Sequence, residues 1–402
     1  TKSYAYEYDG ISPEKVKIIL REENGTSNTF DTDEFYDGFG NIIQVKTEAE
    51  NNKQIVEDTY YDNLKRTVSK SNKYLASFFE NYTTPNTSVS NTSFSYDPLD
   101  RITQITNPDN SVKKFEYDHW KTSLFDEENN KKINIKDAFD QVLAVIEFNP
   151  PDTYTTNYTY TDAGDLTNIT DALGNKFTFL YDTLGRKTGI DDPDLGIWTY
   201  AYDGVNNLIQ SVDERGITTT YNYDELDRIT KKNTANESFN YTYDMGFNNT
   251  LTSVQGNNSF VNYTYDNRLR KATERKLMDI TEIDTQSFTY DSMDGLLNHS
   301  FTNNSYNNIY SEQSLIKSIQ GITTDATHNE LGKVKDRTYQ NNEVSSYTYN
   351  FTNFRLSKIK TGNKQDLGYN YSKISDVVSI HDLIHSRKYT MTYDALSRLI
   401  TA

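Results

Sequence analysis

A Tyr-Asp pair recurs along this 402-residue chain at a spacing close to 21 residues. Well-kept copies start at Tyr36, Tyr61, Tyr96, Tyr117, Tyr181, Tyr202, Tyr223, Tyr243, Tyr265, Tyr290 and Tyr393. Degenerate copies stand at Lys136-Asp137, Thr161-Asp162, His328-Asn329, Tyr349-Asn350 and Tyr371-Ser372. From Thr161 to Tyr265 the steps are 20, 21, 21, 20 and 22. A period this steady defines a repeat architecture, in which each unit packs only on its neighbours.

The period also dictates the local structure. Aromatics stand two apart before the Asp, as in Tyr158/Tyr160, Tyr200/Tyr202, Tyr241/Tyr243 and Phe288/Tyr290. Alternation at period two puts those rings on one face of a strand. Asp ends the strand, because its side chain caps turns. In "DTLGRK" (Asp182–Lys187) Gly185 is free to take a positive φ, and Asp100, Asp227 and Ser397 occupy the same place in other copies. A second turn falls mid-repeat, at Asn107–Asn110, Asp192–Gly196 and Asp213–Gly216. Two turns in about 21 residues leave two strands of usual length, so each unit is a β-hairpin. About sixteen hairpins at ~4.8 Å per strand give a sheet ~150 Å long, or one ring of radius ~25 Å. Arg follows Asp by four in Asp62/Arg66, Asp97/Arg101, Asp182/Arg186, Asp224/Arg228, Asp266/Arg270 and Asp394/Arg398. That spacing across a tight turn lets the guanidinium reach back to the carboxylate or across to the next hairpin's ring. A carboxylate repeated so many times along a scaffold reads as structural.

Composition agrees with thin β-structure. Hydrophobic residues make up 35% of the chain, below the roughly 45–50% usual for globular proteins, while Tyr (32) and Phe (19) are abundant. Tyr buries a ring and keeps its hydroxyl wet. Cys is absent, which excludes disulfides and thiolate metal sites. A net charge of −17 disfavours nucleic acid and anionic membrane as partners, and no apolar run is long enough to span a bilayer.

The units "FLYDTLGRKT" (Phe179–Thr188), "YNYDELDRIT" (Tyr221–Thr230) and "MTYDALSRLI" (Met391–Ile400) resemble the RHS (rearrangement hotspot) or YD-repeat family. The resemblance implies an all-β fold in which tandem hairpins form one long curved or spiralling sheet. Such a sheet makes the hollow cocoon of toxin-complex B and C components, bacterial polymorphic toxins and teneurins. It further implies a single shell region over 1–402, excised from a longer secreted or cell-surface protein, that encapsulates a polypeptide cargo such as a toxin. Insertions or degenerate repeats are expected near 65–95, 127–150 and 292–327. The family's autocleavage motif, centred on Asp-Pro-x-Gly after the last repeat, has no counterpart at Thr401-Ala402; "DPDLG" at Asp192–Gly196 lies mid-chain and reads as a turn.

No catalytic, cofactor-binding or metal residue is expected, and the chain is read as non-enzymatic. "HDLIH" (His381–His385) resembles a zinc-protease motif, but Asp382 stands where Glu is required and the setting is a strand repeat, not a helix. Asp191–Asp194 has carboxylates for Ca²⁺, yet an Asp/Pro turn is the plainer reading. The alternative function is a surface adhesin or carbohydrate-binding module, with tyrosine rows stacking on sugar rings. Partners are then the remainder of the chain, with cell-surface glycans or a protein receptor under the alternative. Several Asn-x-Ser/Thr triplets, Asn81 and Asn157 among them, reflect Asn-rich composition.

Overall fold

The computed structural model describes residues 2–7, 13–21, 29–279, 281–291, 294–301, 304–311 and 315–402. Parts of the degenerate region 292–327 lie outside them. The described residues hold 38 strands and no helix. Thirty-six strands form one sheet, and a short hairpin, Thr392–Tyr393 with Leu399–Thr401, follows it. The tandem-hairpin fold expected from the repeat is therefore the one observed. Pairing is antiparallel throughout and runs between chain neighbours, as in Lys187–Asp192 with Gly196–Tyr202 and Gly196–Tyr202 with Leu208–Val212. One departure occurs at residues 67–77. Thr67–Ser71 and Tyr74–Ser77 lie end to end along the single strand Lys53–Tyr61, and only the first goes on to pair with Asn91–Tyr96.

Most Tyr-Asp turns share one construction, with departures at Asp118, which pairs with Lys121 across a two-residue turn, and at Asp244, whose amide bonds the Thr250 carbonyl. The Asp182 amide bonds the Arg186 carbonyl, the Gly185 amide bonds the Asp182 carbonyl, and the register slips by one residue beyond Tyr181. This is a three-residue hairpin loop closed by a bulge, which needs a left-handed residue before the bulge. Gly185 supplies it at φ 76°, and Asp100, Asp227 and Ser397 adopt 61°, 60° and 58°. The mid-repeat turns use the same conformation at Asn110, Gly196 and Gly216.

Strand faces alternate as the aromatic pattern requires. In Asp152–Tyr160 and Ser238–Tyr243 the paired tyrosines are half-buried while Thr159 and Thr242 between ring positions are exposed. The apolar core is correspondingly thin: only Phe35, Ala49, Val56, Ile133 and Ala326 are buried hydrophobic residues among those described. A single sheet has no second layer to close over its side chains.

The sheet overlaps itself. Asp109, in the turn after the ninth strand, accepts a hydrogen bond from Asn353 Nδ2 (3.0 Å), in the turn after the thirty-second. Glu128, after the eleventh strand, meets the Lys373 amide after the thirty-fourth at 3.2 Å. Asn149, the last residue of the thirteenth, accepts from the Ala395 amide at 2.9 Å. Asn72 and Thr352 (2.7 Å) and Lys317 and Glu50 (3.5 Å) close the same seam. One lap therefore takes about 23 strands, ~110 Å of sheet at ~4.8 Å per strand and a radius of ~18 Å. The single ring of radius ~25 Å expected from the repeat count is corrected to a tighter coil of about one and a half laps.

The turn construction makes a stability prediction. A Cβ at Gly185 meets nothing closer than ordinary contact, Asp165 Oδ1 at 3.7 Å, so the cost of a side chain there is in the backbone. Gly185→Val should lower stability by about 1–2 kcal/mol in urea unfolding, and Ser397→Gly should raise it.

Candidate functional site

The chemistry concentrated in this chain is the staple that joins one Tyr-Asp turn to the next. The Asp carboxylate shapes its own turn first: Asp224 Oδ1 accepts from the amides of Leu226 (2.9 Å) and Arg228 (3.0 Å), and Oδ2 accepts from Arg228 Nε (2.8 Å). The five other Asp/Arg pairs singled out in the sequence repeat the Nε contact at 2.6–2.8 Å. The guanidinium then reaches over the following unit's tyrosine. Its carbon lies 4.4 Å from the Tyr243 ring for Arg228, 4.2 Å from Tyr117 for Arg101, 5.0 Å from Tyr202 for Arg186 and 4.8 Å from Tyr290 for Arg270. Nη1 carries on into the next turn, to the Asp203 carbonyl for Arg186 (2.9 Å) and to the Asp244 carboxylate for Arg228 (2.8 Å). One planar cation serves two turns and one ring, a geometry that the point charge of Lys does not reproduce.

The tyrosine closes the link in the opposite direction. Its hydroxyl donates to the carbonyl that opens the preceding unit's return strand: Tyr202 to Lys187, Tyr223 to Leu208, Tyr243 to Ile229 and Tyr265 to Leu251, all at 2.8–3.0 Å. Burial of the ring pushes the phenol pKa of Tyr223 and Tyr243 up, so the donor stays protonated. Ring-on-ring stacking between neighbouring units is not what joins them. Among the described residues the ring pairs involve Phe35, Phe288, His299 and Phe301, and none joins two Tyr-Asp tyrosines. Guanidinium-on-ring and hydroxyl-to-carbonyl contacts replace that stacking.

Two staple positions escaped the Tyr-Asp pattern. Tyr160 donates to the Val142 carbonyl at 2.9 Å, and Thr161 caps the turn by accepting from the Asp165 amide at 3.0 Å; the copy marked at Thr161-Asp162 is thus shifted by one residue. Tyr310 donates to the Leu296 carbonyl at 3.0 Å and is followed by Ser311, whose hydroxyl accepts from the Leu315 amide. The long step from Tyr290 to His328 therefore contains a whole unit. Thr and Ser cap turns as Asp does, more weakly, and a search for a hydroxyl after an alternating Tyr would have found both.

The other candidate residues are dispersed. His381 lies on the strand Val377–Asp382, whereas His385 sits in the following turn with Nδ1 at 2.7 Å from Asp382 Oδ2. Asp382 is itself that turn's cap, accepting from the amides of Ile384 and His385. Asp192 caps its own turn through the amides of Asp194 and Leu195. Among the described residues no three His, Asp or Glu side chains are grouped to hold a metal ion.

A hairpin-repeat sheet, wound past one lap and stapled rung by rung, is the class this geometry defines. Residues 160–195 and 202–238 match the RHS Repeat family. Among solved structures the chain is similar to the crystal structure of TcdB2-TccC3 (TM-score 0.88, 17% identity, covering 99% of this chain and 25% of that one). It is similar to TcdB2-TccC3-Cdc42 (TM-score 0.86, 17% identity, 96% and 24%) and to a Photorhabdus luminescens Tc holotoxin pore (TM-score 0.84, 16% identity, 96% and 24%). No curated protein matches the chain. The chain has the fold of those structures, and it spans about a quarter of their length.

The staple carries two predictions. Tyr243→Phe removes one hydrogen bond, about 1 kcal/mol, and because units couple only to neighbours faster amide exchange should be confined to the hairpins spanning 220–255. The second concerns acid. Arg228's hydrogen bond holds Asp224 below the usual carboxylate range, and turn amides and the guanidinium do the same for Asp62. At Asp97, Asp182, Asp266 and Asp394 desolvation pulls the other way and is outweighed by those hydrogen bonds. A lowered folded-state pKa gives stability that is present above the ordinary Asp value near 4 and is lost as pH falls through the lowered ones. Thermal stability should therefore hold down to about pH 4 and decline below it; a midpoint that stays flat from about pH 4 to about pH 2 would contradict the role given to these carboxylates.

Proposed function

We propose that this chain is a non-enzymatic scaffold, a segment of an RHS/YD-repeat shell that encapsulates and shields a polypeptide cargo, a toxin, within a secreted or cell-surface protein. The observation that carries the reading is the self-overlap of the sheet: turns of one lap hydrogen-bond turns of the next, from Asp109 with Asn353 through Glu128 with Lys373 to Asn149 with Ala395. A sheet sealed against itself in this way makes a wall, and a lap of ~18 Å radius leaves room inside for an unfolded or very small folded chain. The partner is accordingly the remainder of its own polypeptide. The fold shared with TcdB2-TccC3 supports the same reading. A glycan-binding role draws no support from the Tyr-Asp rings, because a guanidinium covers ring faces such as those of Tyr117, Tyr202 and Tyr243.

Limited proteolysis of the native polypeptide tests the proposal. Trypsin should spare an enclosed stretch flanking residues 1–402 while the shell is intact. The same stretch should be cut once Arg186→Ala, Arg228→Ala and Arg270→Ala together loosen the wall. Equal cutting in both proteins, at the rate of an unstructured chain, would show that nothing is enclosed.

A further inference from the structure

The largest buried polar cluster lies away from the staples, on the sheet face opposite the Tyr-Asp rings. There residues 78–83, a strap without regular structure, cross the strands Ile42–Ala49 and Lys53–Tyr61. The hydrogen bonds that hold the strap to the sheet run mainly to the strap's backbone. Gln44 Nε2 donates to the Thr83 carbonyl (2.9 Å) and Gln44 Oε1 accepts from the Thr83 amide (3.1 Å), a two-point contact like one rung of a β-ladder. Lys46 Nζ donates to the carbonyls of Phe79 (3.2 Å) and Asn81 (2.5 Å). The Phe79 amide donates to Gln54 Oε1 at 3.3 Å. Strap side chains add four contacts: the Phe79 ring lies 5.5 Å from Lys46 Nζ, Tyr82 sets its ring edge-on to Phe35 at 6.0 Å, Thr83 Oγ1 bonds Gln44, and Glu80 approaches Lys15 at 3.9 Å.

The three gripping residues are 0%, 2% and 3% exposed, so they were placed there at the cost of desolvating two amides and an amine. Gln54 Nε2 is buried and has no acceptor even with the strap seated. That buried donor marks one hydrogen bond to a backbone carbonyl that the strap does not make. Groups that contact amides and carbonyls rather than side chains recognise an extended chain of almost any sequence, as strand-addition sites do.

We propose that the cleft of Gln44, Lys46 and Gln54 is a binding site for an extended polypeptide segment, and that residues 78–83 are its resident and exchangeable occupant. This stands apart from the shell reading: a shell without such a site, or such a site on a sheet that encloses nothing, are both possible, and proteolysis of flanking chain does not report on the cleft.

The chain has no cysteine, so Thr84→Cys, at an exposed position beside the strap, takes a single environment-sensitive fluorophore. Titration with a synthetic peptide of residues 78–85 should change its emission saturably. A scrambled peptide should act within about threefold of it, about 0.6 kcal/mol, and a backbone N-methylated peptide should have no effect. In a second protein, residues 79–83 are deleted to remove the competitor; if it folds by circular dichroism, it should bind the peptide at least tenfold tighter, and Gln44→Ala in that background should abolish the gain. If it does not fold, the labelled protein decides alone. No displacement by millimolar peptide, displacement by the N-methylated peptide as well, or a response to the native sequence only would each overturn the proposal.

Discussion

A guanidinium lying on the next unit's tyrosine is the contact on which this structure depends. A one-layer sheet lacks the facing layer that normally fixes how successive hairpins twist relative to one another. Backbone pairing alone leaves that angle loose. Arg228 removes the freedom by bonding Asp224 behind it and Asp244 ahead while covering Tyr243, whose hydroxyl reaches back to Ile229. Exposed ion pairs add little stability singly, yet those of Arg66, Arg228 and Arg270 are each oriented by a ring and two turn carboxylates. What the staple supplies is geometry: the same relative pose, copied from unit to unit, accumulates into a coil of defined radius.

That copying explains why the lap seam works. Contacts between laps join residues about 245–280 positions apart, such as Asn149 with Ala395 and Asn72 with Thr352. A small error in pose per strand, multiplied over about 23 strands, would carry the second lap past the first. Some seam residues are turn residues that already have local duties. Asp109 accepts from the Ser111 amide and hydroxyl of its own turn as well as from Asn353 across the seam, and Arg355 bonds the Ser372 carbonyl of its next unit while lying 3.9 Å from Asp109. Lap closure is therefore a by-product of staple precision as much as a separate interface.

Most of the wall was legible in the sequence, since period two, the capping Asp, the left-handed turn residue and the Asp/Arg spacing are all local signals. Gly185, Asp100, Asp227 and Ser397 adopt the conformation assigned to them, and the six Asp/Arg pairs form. Three features were not legible, each for a physical reason. Whether the guanidinium turns back to its carboxylate or across to the next ring was left open, and it does both, because its reach to that ring depends on strand twist, which no motif encodes. The units at Tyr160 and Tyr310 were misplaced or missed because Thr161 and Ser311 cap with a hydroxyl instead of a carboxylate. The number of strands per lap, finally, is a sum of small rotations that the sequence does not state.

The strap was the least legible element, and its chemistry differs from the rest of the wall. As sequence, residues 81–93 are a Ser/Thr/Asn-rich insertion that would ordinarily be assigned to solvent. Its docking site, by contrast, is spread over strands: Lys15, Asp33, Gln44, Lys46, Gln54 and Asp58 alternate along them as ordinary polar residues, and only pairing brings them to one face. Burial pushes the Lys46 amine down to about 8, against the pull of Asp33 and Asp58. A buried amine and two amides are costly to maintain under a loop. Leu or Val at those positions would hold a greasy strap more cheaply, but would distinguish it by side chain. Polar side chains that reach backbone groups accept that cost and in return place no demand on sequence. Elsewhere this chain uses side chains to fix one pose and exclude all others; beneath the strap they are arranged to tolerate whatever extended chain lies across them.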